Sequence, residues 1–222
     1  MQRARRRWRR EDGAVAVEAA LVIPILCLLV FGMIEFAFAM RDYASVSSMA
    51  RTGARIGSTA ADGGPATCYT YTGSPTCTPT SAPAAAQLAA AAIQRSGAIA
   101  DPTSINYILV YKANTNGYPG TLTSMPNDCG GVASCVKFTW VVSQSAFRYA
   151  SGTWDSKTIS ACFPGNATTP LDRIGVYVNT THKMMTGLFG STISIKDRSV
   201  ADFEPLPTTS CNGSGSAAGG HT

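Results

Sequence analysis

The pattern of hydrophobic and polar positions divides the chain into a long apolar helix and a later region of short alternating segments. From Ala14 to Met40 the only charged side chains are Glu18 and Glu35. A helix that rises about 1.5 Å per residue over this segment is long enough to cross a hydrocarbon core about 30 Å thick. Glu18 then lies roughly 6 Å and Glu35 roughly 31 Å from Ala14, near the two edges of the core. Residues 14–40 are therefore predicted to be a transmembrane helix.

The helical pattern continues past Met40, and residues 41–57 are predicted to form an amphipathic extension of the same helix. Its less polar face has residues at intervals of three or four: Tyr43, Val46, Met49, Ala50, Gly53 and Gly57. The opposite face holds Arg41, Ser48, Arg51 and Arg55. Such spacing places one stripe on a packing surface. The small residues in the stripe allow close approach of a backbone, and the chain's own sheet is preferred over a second subunit.

Residues 58–205 are predicted to form an α+β domain, in which the long N-terminal helix packs on a small antiparallel sheet. The alanine-rich run Ala84–Ser96 predicts a short helix that ends before Gly97. Strands are expected where apolar residues alternate, over residues 105–111, 136–142, 174–178 and 192–203, with a weaker or edge strand over 153–162. Surface loops are expected over residues 58–83 and 113–134, a loop or one turn of helix over 182–190, and a flexible polar tail over 206–222.

Charge is concentrated in a leader at residues 1–13. Six arginines less Glu11 and Asp12 give +4 of the formal net charge of +5. Arginines ahead of an apolar span favour a cytoplasmic N-terminus, which places the C-terminal domain outside the cytoplasm. A nucleic-acid-binding arm is the alternative for these arginines, but the rest of the chain is nearly neutral, so no nucleic-acid partner is expected. A secretory signal cut at Ala37-Phe38-Ala39 is also considered, although a signal core is shorter and uncharged.

Seven cysteines divide into Cys27, inside the apolar span, and six beyond it: Cys68, Cys77, Cys129, Cys135, Cys162 and Cys211. An even number in an exported region is typical of disulfides. Pairing of neighbours is favoured, Cys68 with Cys77, Cys129 with Cys135 and Cys162 with Cys211, although six cysteines allow 15 pairings. A zinc site is the alternative, but neither CxxC pairs nor nearby histidines support it, so no metal or cofactor is expected.

The residues around Gly13 carry a resemblance to a known family. Gly13 is followed by AVAVE, so that Glu18 is the fifth residue after the glycine, as in type IV pilin-like precursors that a prepilin peptidase cuts. The stretches VEAALVIP, GMIEFAF and SMARTGAR, all within residues 13–55, are similar to the TadE family. A looser similarity extends from Val176 to Pro205. TadE-like proteins are minor pilins, or pseudopilins, of the tight-adherence (Tad) secretion and pilus system.

That resemblance implies a pilin-like fold, cleavage between Gly13 and Ala14, and assembly or priming of a thin surface pilus with other Tad pilins. It places processing at Gly13, Ala14 and Glu18, and assembly at Glu18, Pro24 and Glu35. A carboxylate in an apolar helix usually has a partner, and the amine freed at Ala14 of a neighbouring subunit would suit Glu18. The alternative is that Glu18 reaches the cytoplasmic interface unaided. Pro24 removes a helical hydrogen bond, which predicts a kink or loosened turn.

Motifs for catalysis are missing from the sequence: there is no GxSxG, P-loop or HExxH. A secreted hydrolase on an uncleaved anchor is therefore disfavoured, and a protein that is not an enzyme is expected. His182 and His221 are expected at the surface, and Asn114–Gly117 is interpreted as a turn or, alternatively, a calcium site. The main rival is an uncleaved single-pass membrane protein whose exported domain binds a ligand or a cell-wall component.

Overall fold

The structure is a computed structural model that describes residues 5–66, 81–98, 101–162, 171–187 and 190–207, with side chains from residue 13 onward. Within these residues, two helices and five strands follow in order: α1 Arg5–Ser58, α2 Ala84–Ser96, β1 Ile105–Ala113, β2 Cys135–Val141, β3 Ala146–Thr153, β4 Arg173–Lys183 and β5 Thr192–Asp202. Short 3₁₀ turns lie at Pro102–Ser104, Val142–Gln144 and Ser156–Thr158. The chain is α+β, as the sequence predicts.

The chain divides into two compact units. The first contains α1 as far as Arg41 together with Lys183–Ile193, which is the connection between β4 and β5 with the adjoining strand ends. The second contains Asp42–His182 and the chain from Ser194 onward, and therefore the rest of α1, α2 and nearly all of the sheet.

The sheet has five strands in the order β3-β2-β1-β4-β5. β1 is central and pairs antiparallel with β2 on one side and β4 on the other, with Val110 opposite Val136 and Val176. β2 pairs antiparallel with β3, which leaves β3 and β5 as the two edges. Consecutive neighbours of this kind need only hairpins or loops, apart from the longer path from β3 to β4.

One face of the sheet packs on the helices. Ile108 and Val110 of β1, with Val176 and Val178 of β4, share a core with Val46, Met49, Ala50 and Ala54 of α1 and with the alanines of α2. A Cβ at Gly53 would lie 3.2 Å from Val176 Cγ1, and one at Gly57 would lie 2.6 Å from Ile174 Cδ1. The small residues of α1 therefore pack against the chain's own sheet and α2, as expected. Burial of each such valine or isoleucine contributes about 1.5–3 kcal/mol.

The opposite face of the sheet is covered by the loop between β1 and β2. Leu109, Tyr111 and Tyr177 pack there with Cys129 and Cys135, which form a disulfide. The sheet thus has two apolar faces, because helices cover one of them and a stapled loop covers the other.

α2 spans Ala84–Ser96, as the sequence predicts, and it ends at Gly97, whose φ of 57° provides the left-handed C-cap. The strand expected over 153–162 is wrong: Thr153 is the last residue of β3, the chain after it forms a 3₁₀ turn capped by the Asp155 side chain, and Cys162 makes an isolated bridge to Leu206. The missed edge strand is β3, which lies earlier in the chain. Tyr43, expected on the packing face of α1, is exposed. Much of the expected loop at 58–83 lies outside the described residues.

Candidate functional site

The apolar half of α1 presents its side chains outward on nearly every side. Exposed residues include Leu21, Ile25, Leu29, Phe36 and Met40. Among the described residues, α1 from Gly13 to Ser58 is the one helix that is long and apolar enough to cross a membrane. Such a surface is stable in lipid rather than in water, which indicates a single-pass membrane protein. Pro24 lies inside this helix, and Cys27 is a free exposed thiol.

Gly13, Ala14 and Glu18, predicted as the processing site, lie on consecutive turns of α1 and are all exposed. Glu18 has neither a hydrogen-bond nor an ion-pair partner among the described side chains. Its carboxylate is exposed. The predicted processing and assembly roles of these residues stay predictions.

Glu35, by contrast, is nearly buried, with 3 % of its surface exposed. Its Oε1 accepts a hydrogen bond from the backbone N–H of Met185. Its Oε2 accepts two more, from the backbone N–H and the hydroxyl of Thr186, each at 3.2 Å. The sequence predicts an assembly role for this acid, which stays a prediction. The structure places Glu35 against the β4–β5 loop of its own chain, a partner that no local sequence pattern reveals.

A second polar contact joins the helix extension to β4. Asp42 Oδ2 lies 2.7 Å from His182 Nδ1, and the His182 side chain is only 9 % exposed. The expected surface position of His182 is therefore wrong: the ring is covered, and its Nε2 has no hydrogen-bond partner. Asp42 had no predicted role. The signal in the sequence is weak, a single acid just beyond the apolar span, and its partner is 140 residues away.

Three of the six outer cysteines can be placed. Cys129 and Cys135 form the disulfide expected from their spacing. Cys162 is also disulfide-bonded, and its partner lies outside the described residues, as do Cys68, Cys77 and Cys211. Cys162 pairs in parallel with Leu206, whose N–H donates to the Ala161 carbonyl at 2.8 Å. Leu206 lies five residues before Cys211, and the predicted Cys162–Cys211 pair stays a prediction.

The sheet face under the β1–β2 loop is held by buried polar contacts. The Tyr111 hydroxyl donates to the Gly117 carbonyl at 3.0 Å, and burial raises the pKa of Tyr111 to about 12. Arg198 donates to the same carbonyl and lies 3.8 Å from the centre of the Tyr118 ring. These contacts fix the loop on the sheet, because a buried hydroxyl or carbonyl without a partner is costly.

The Asp128 carboxylate accepts three hydrogen bonds near the end of the β1–β2 loop. Its carboxylate binds Lys137 Nζ at 2.8 Å, the Gly130 N–H at 2.8 Å and the Ser151 hydroxyl at 2.8 Å. These bonds, with that from Lys137 first, lower the pKa of Asp128 to about 2. All of them stabilise the ionised form. The arrangement ties the end of the β1–β2 loop to β2 and β3.

The Asn114–Gly117 stretch forms a turn. Asn114 Oδ1 accepts the N–H groups of Asn116 and Tyr118, and its Nδ2 donates to the carbonyls of Gly120 and Leu122. Its side-chain oxygen is thus already used within the turn. Within the described ranges no group of three or more His, Cys, Asp or Glu residues could hold a metal ion.

A comparison with protein families finds a match in the α1 segment that contains the predicted processing and assembly residues. A family model described as TadE-like protein matches residues 13–55, which include Gly13, Glu18, Pro24 and Glu35. No curated protein and no solved structure matches the chain. The N-terminal helix of the chain, over residues 13–55, is thus similar to the TadE-like proteins.

Proposed function

We propose that this protein is a minor pilin of a Tad-type pilus, matured by a prepilin peptidase and incorporated in, or priming, a thin surface filament used for adhesion or secretion. The observation that carries the proposal is the TadE-like match at residues 13–55. It covers the stretch in which Gly13 precedes Glu18 by five residues on an exposed apolar helix. The role is structural rather than catalytic, and its partners are the peptidase, other Tad pilins and assembly proteins.

The proposed orientation has the arginine-rich leader in the cytoplasm and the sheet domain outside. Arginines on the short segment before a span favour the cytoplasmic side. The Cys129–Cys135 disulfide supports a sheet domain in an oxidising compartment. The peptidase would then meet Gly13 and Ala14 at the cytoplasmic edge of the membrane, where both residues are exposed on α1.

Cleavage requires the helix to open locally, since a peptide bond inside a helical turn is shielded by its neighbours. Gly13 favours opening at this position, because glycine lowers helix stability by about 1 kcal/mol relative to alanine. Cleavage would free an amine at Ala14. That cation would form an ion pair with the exposed Glu18 of a neighbouring subunit, where little water solvates either charge. The pair would set the axial register of the packed helices.

N-terminal sequencing of the protein extracted from membranes tests the processing step. We expect a chain that begins at Ala14 in cells with the prepilin peptidase and at Met1 in cells without it. Gly13→Leu should block cleavage, because a bulky side chain replaces the absent one next to the cut bond. Ala16→Leu, three residues further along the same exposed helix, is the matched control and should still be cleaved.

Two other results of N-terminal sequencing would indicate a different function. A chain that keeps Met1 when the peptidase is present would favour the uncleaved single-pass protein with an exported binding domain. A chain that begins at Met40 would indicate an ordinary secretory signal. For the pilus role itself, the mature protein should co-purify with sheared surface filaments or with the assembly complex in the membrane.

A further inference from the structure

The connection between β4 and β5 forms one compact unit with the apolar part of α1, and it is held there by Glu35. The three hydrogen bonds to the Glu35 carboxylate come from two consecutive residues, Met185 and Thr186. A carboxylate is expensive to place in hydrocarbon unless a partner satisfies it. The loop supplies that partner from within the chain.

The residues around Glu35 indicate how deep in the bilayer its contact with Met185 and Thr186 lies. Met33, Ile34, Phe36 and Phe38 are large apolar side chains, and all are exposed. Glu35 itself lies roughly 31 Å along the helix from Ala14, close to the far edge of a hydrocarbon core about 30 Å thick. Since large exposed apolar side chains flank Glu35 on both sides, the residues that cover Glu35 lie at the depth of the bilayer boundary.

The face of α1 that carries Glu35 also has small, half-buried residues. Gly32 and Ala39, three residues before and four residues after Glu35, are half-buried, whereas the residues between them on other faces are exposed. The spacing places all three on the same side of the helix. Small residues on both sides of the acid allow a backbone to approach closely.

The loop has the composition and the backbone bonding that a membrane boundary requires. The described residues between Lys183 and Lys196 carry no charge. Four backbone N–H groups have acceptors: those of Met185 and Thr186 bond to Glu35, that of Met184 to the Ser191 carbonyl, and that of Gly190 to the Gly187 carbonyl. Unsatisfied amides would be costly at this depth.

Met185 points its side chain away from the protein, with 74 % of its surface exposed. An exposed methionine is costly in water and favourable in acyl chains, where each buried methylene contributes about 0.8 kcal/mol. We propose that residues 184–187 at the end of β4 are a membrane-contact site, in which Glu35 holds Met185 and Thr186 at the end of the span distant from Gly13 and the Met185 side chain enters the lipid.

Site-directed fluorescence in the full-length protein tests this site. Met185→Cys in a Cys27→Ser background, with the disulfides intact, carries an environment-sensitive dye, and the protein is placed in nanodiscs of zwitterionic and anionic phospholipid. We expect emission at shorter wavelength and strong quenching by lipids that carry a nitroxide on the upper acyl chain. The matched control is the dye at Thr123→Cys, an exposed position in the β1–β2 loop, which should show neither effect.

A second substitution tests the anchor. Glu35→Ala in the Met185→Cys protein removes all three acceptor bonds, so quenching at position 185 should fall towards that of the Thr123 control. Hydrogen exchange in protein without dye gives an independent readout: the amides of Met185 and Thr186 should be protected, and Glu35→Ala should remove that protection while leaving the strands protected.

Each other outcome overturns a defined part of the proposal. Emission and quenching at position 185 equal to those at position 123 would show that the loop stays in water. A shift to shorter wavelength without quenching by nitroxide lipids would show that protein, not lipid, covers Met185. Unchanged quenching after Glu35→Ala would overturn the role of Glu35 as the anchor.

Discussion

Gly152 is the residue with the least room for change in the described part of the sheet. Its φ is +92°, and a Cβ there would lie 2.2 Å from the Cys135 carbonyl oxygen and 2.5 Å from Cys129 Cβ. Both neighbours are fixed, one as backbone and the other in the Cys129–Cys135 disulfide. The β-bulge region of β2 and β3 therefore depends on the missing side chain at this position.

We expect Gly152→Ala to lower the free energy of unfolding by roughly 3 kcal/mol, about 1 for the positive φ and the rest for the clash. Gly131→Ala is the matched control, because its φ is +74° but nothing lies within 4 Å of a Cβ. It should cost only about 1 kcal/mol. Denaturant unfolding of the disulfide-intact protein in detergent measures both, and equal losses would show that the contact with Cys135 carries no energy.

Asp128 links stability to pH. Its pKa is lowered from 3.8 to about 2, so its ionised form stabilises the folded state above the unfolded pKa, and this contribution is lost as pH falls through the folded pKa. The Asp128 side chain is 49 % exposed, so solvent screening limits the effect to about 1 kcal/mol or less. We expect Asp128→Asn to flatten the stability curve between about pH 4 and pH 2. Asp62→Asn, at an exposed acid outside these contacts, is the matched control.

The residues that the sequence could not place are those with distant partners. Glu35 and His182 are visible as single polar residues, but their contacts come from 150 and 140 residues away. Local spacing carries no information on such pairs. Gly13 and Glu18 are different, because the relation that defines them is a short interval along one helix.

The helices and strands that depend on local sequence are predicted, and the strand that depends on a distant partner is missed. α2 is predicted correctly at both ends because alanine propensity and the glycine C-cap are local. β1, β2, β4 and β5 are found because apolar residues alternate with less apolar ones along their sequences. β3 is missed because Arg148, Ser151 and Gly152 interrupt its apolar pattern, and it is a strand by virtue of pairing with β2. The capped 3₁₀ turn after Asp155 was predicted as a strand from its apolar residues alone.

The close fit of α1 on the sheet and α2 gives a prediction at this scale. A Cβ at Gly57 would lie 2.6 Å from Ile174 Cδ1 and 3.2 Å from the Ala85 carbonyl. Gly57→Val should therefore overpack the interface and cost about 2–3 kcal/mol of unfolding free energy. Ala44→Val, at an exposed position of the same helix, should cost well under about 1 kcal/mol. Thermal unfolding measured by circular dichroism distinguishes them, and similar losses would contradict close packing at Gly57.

The whole molecule combines a helix whose apolar half needs a nonaqueous environment with a sheet domain that has its own core. The core of the second unit includes neither Glu18 nor any residue before Val46. Changes at the start of α1 should therefore leave the folding of the sheet domain intact. This separation makes assembly and folding independently testable, which a small protein with a shared core would not allow.

Glu18 gives the prediction that tests the molecule as a component of a filament. If Glu18 pairs with the Ala14 amine of a neighbouring subunit, Glu18→Ala leaves that cation without a partner at a cost of about 1–3 kcal/mol, enough to shift assembly. The Cys129–Cys135 disulfide and the unfolding of the sheet domain should not change. Val22→Ala, at another exposed position of the span, is the control and should assemble normally.

The measurement is the amount of each variant that co-purifies with the pilus apparatus, with surface filaments scored in parallel, in cells where sequencing shows that the leader is removed. Glu18→Gln separates charge from shape, because the amide keeps the size of the side chain and loses its negative charge. Reduced incorporation of both variants is expected, since the partner is a cation. Wild-type incorporation of both would mean that Glu18 only reaches the membrane surface, and the register role would be wrong.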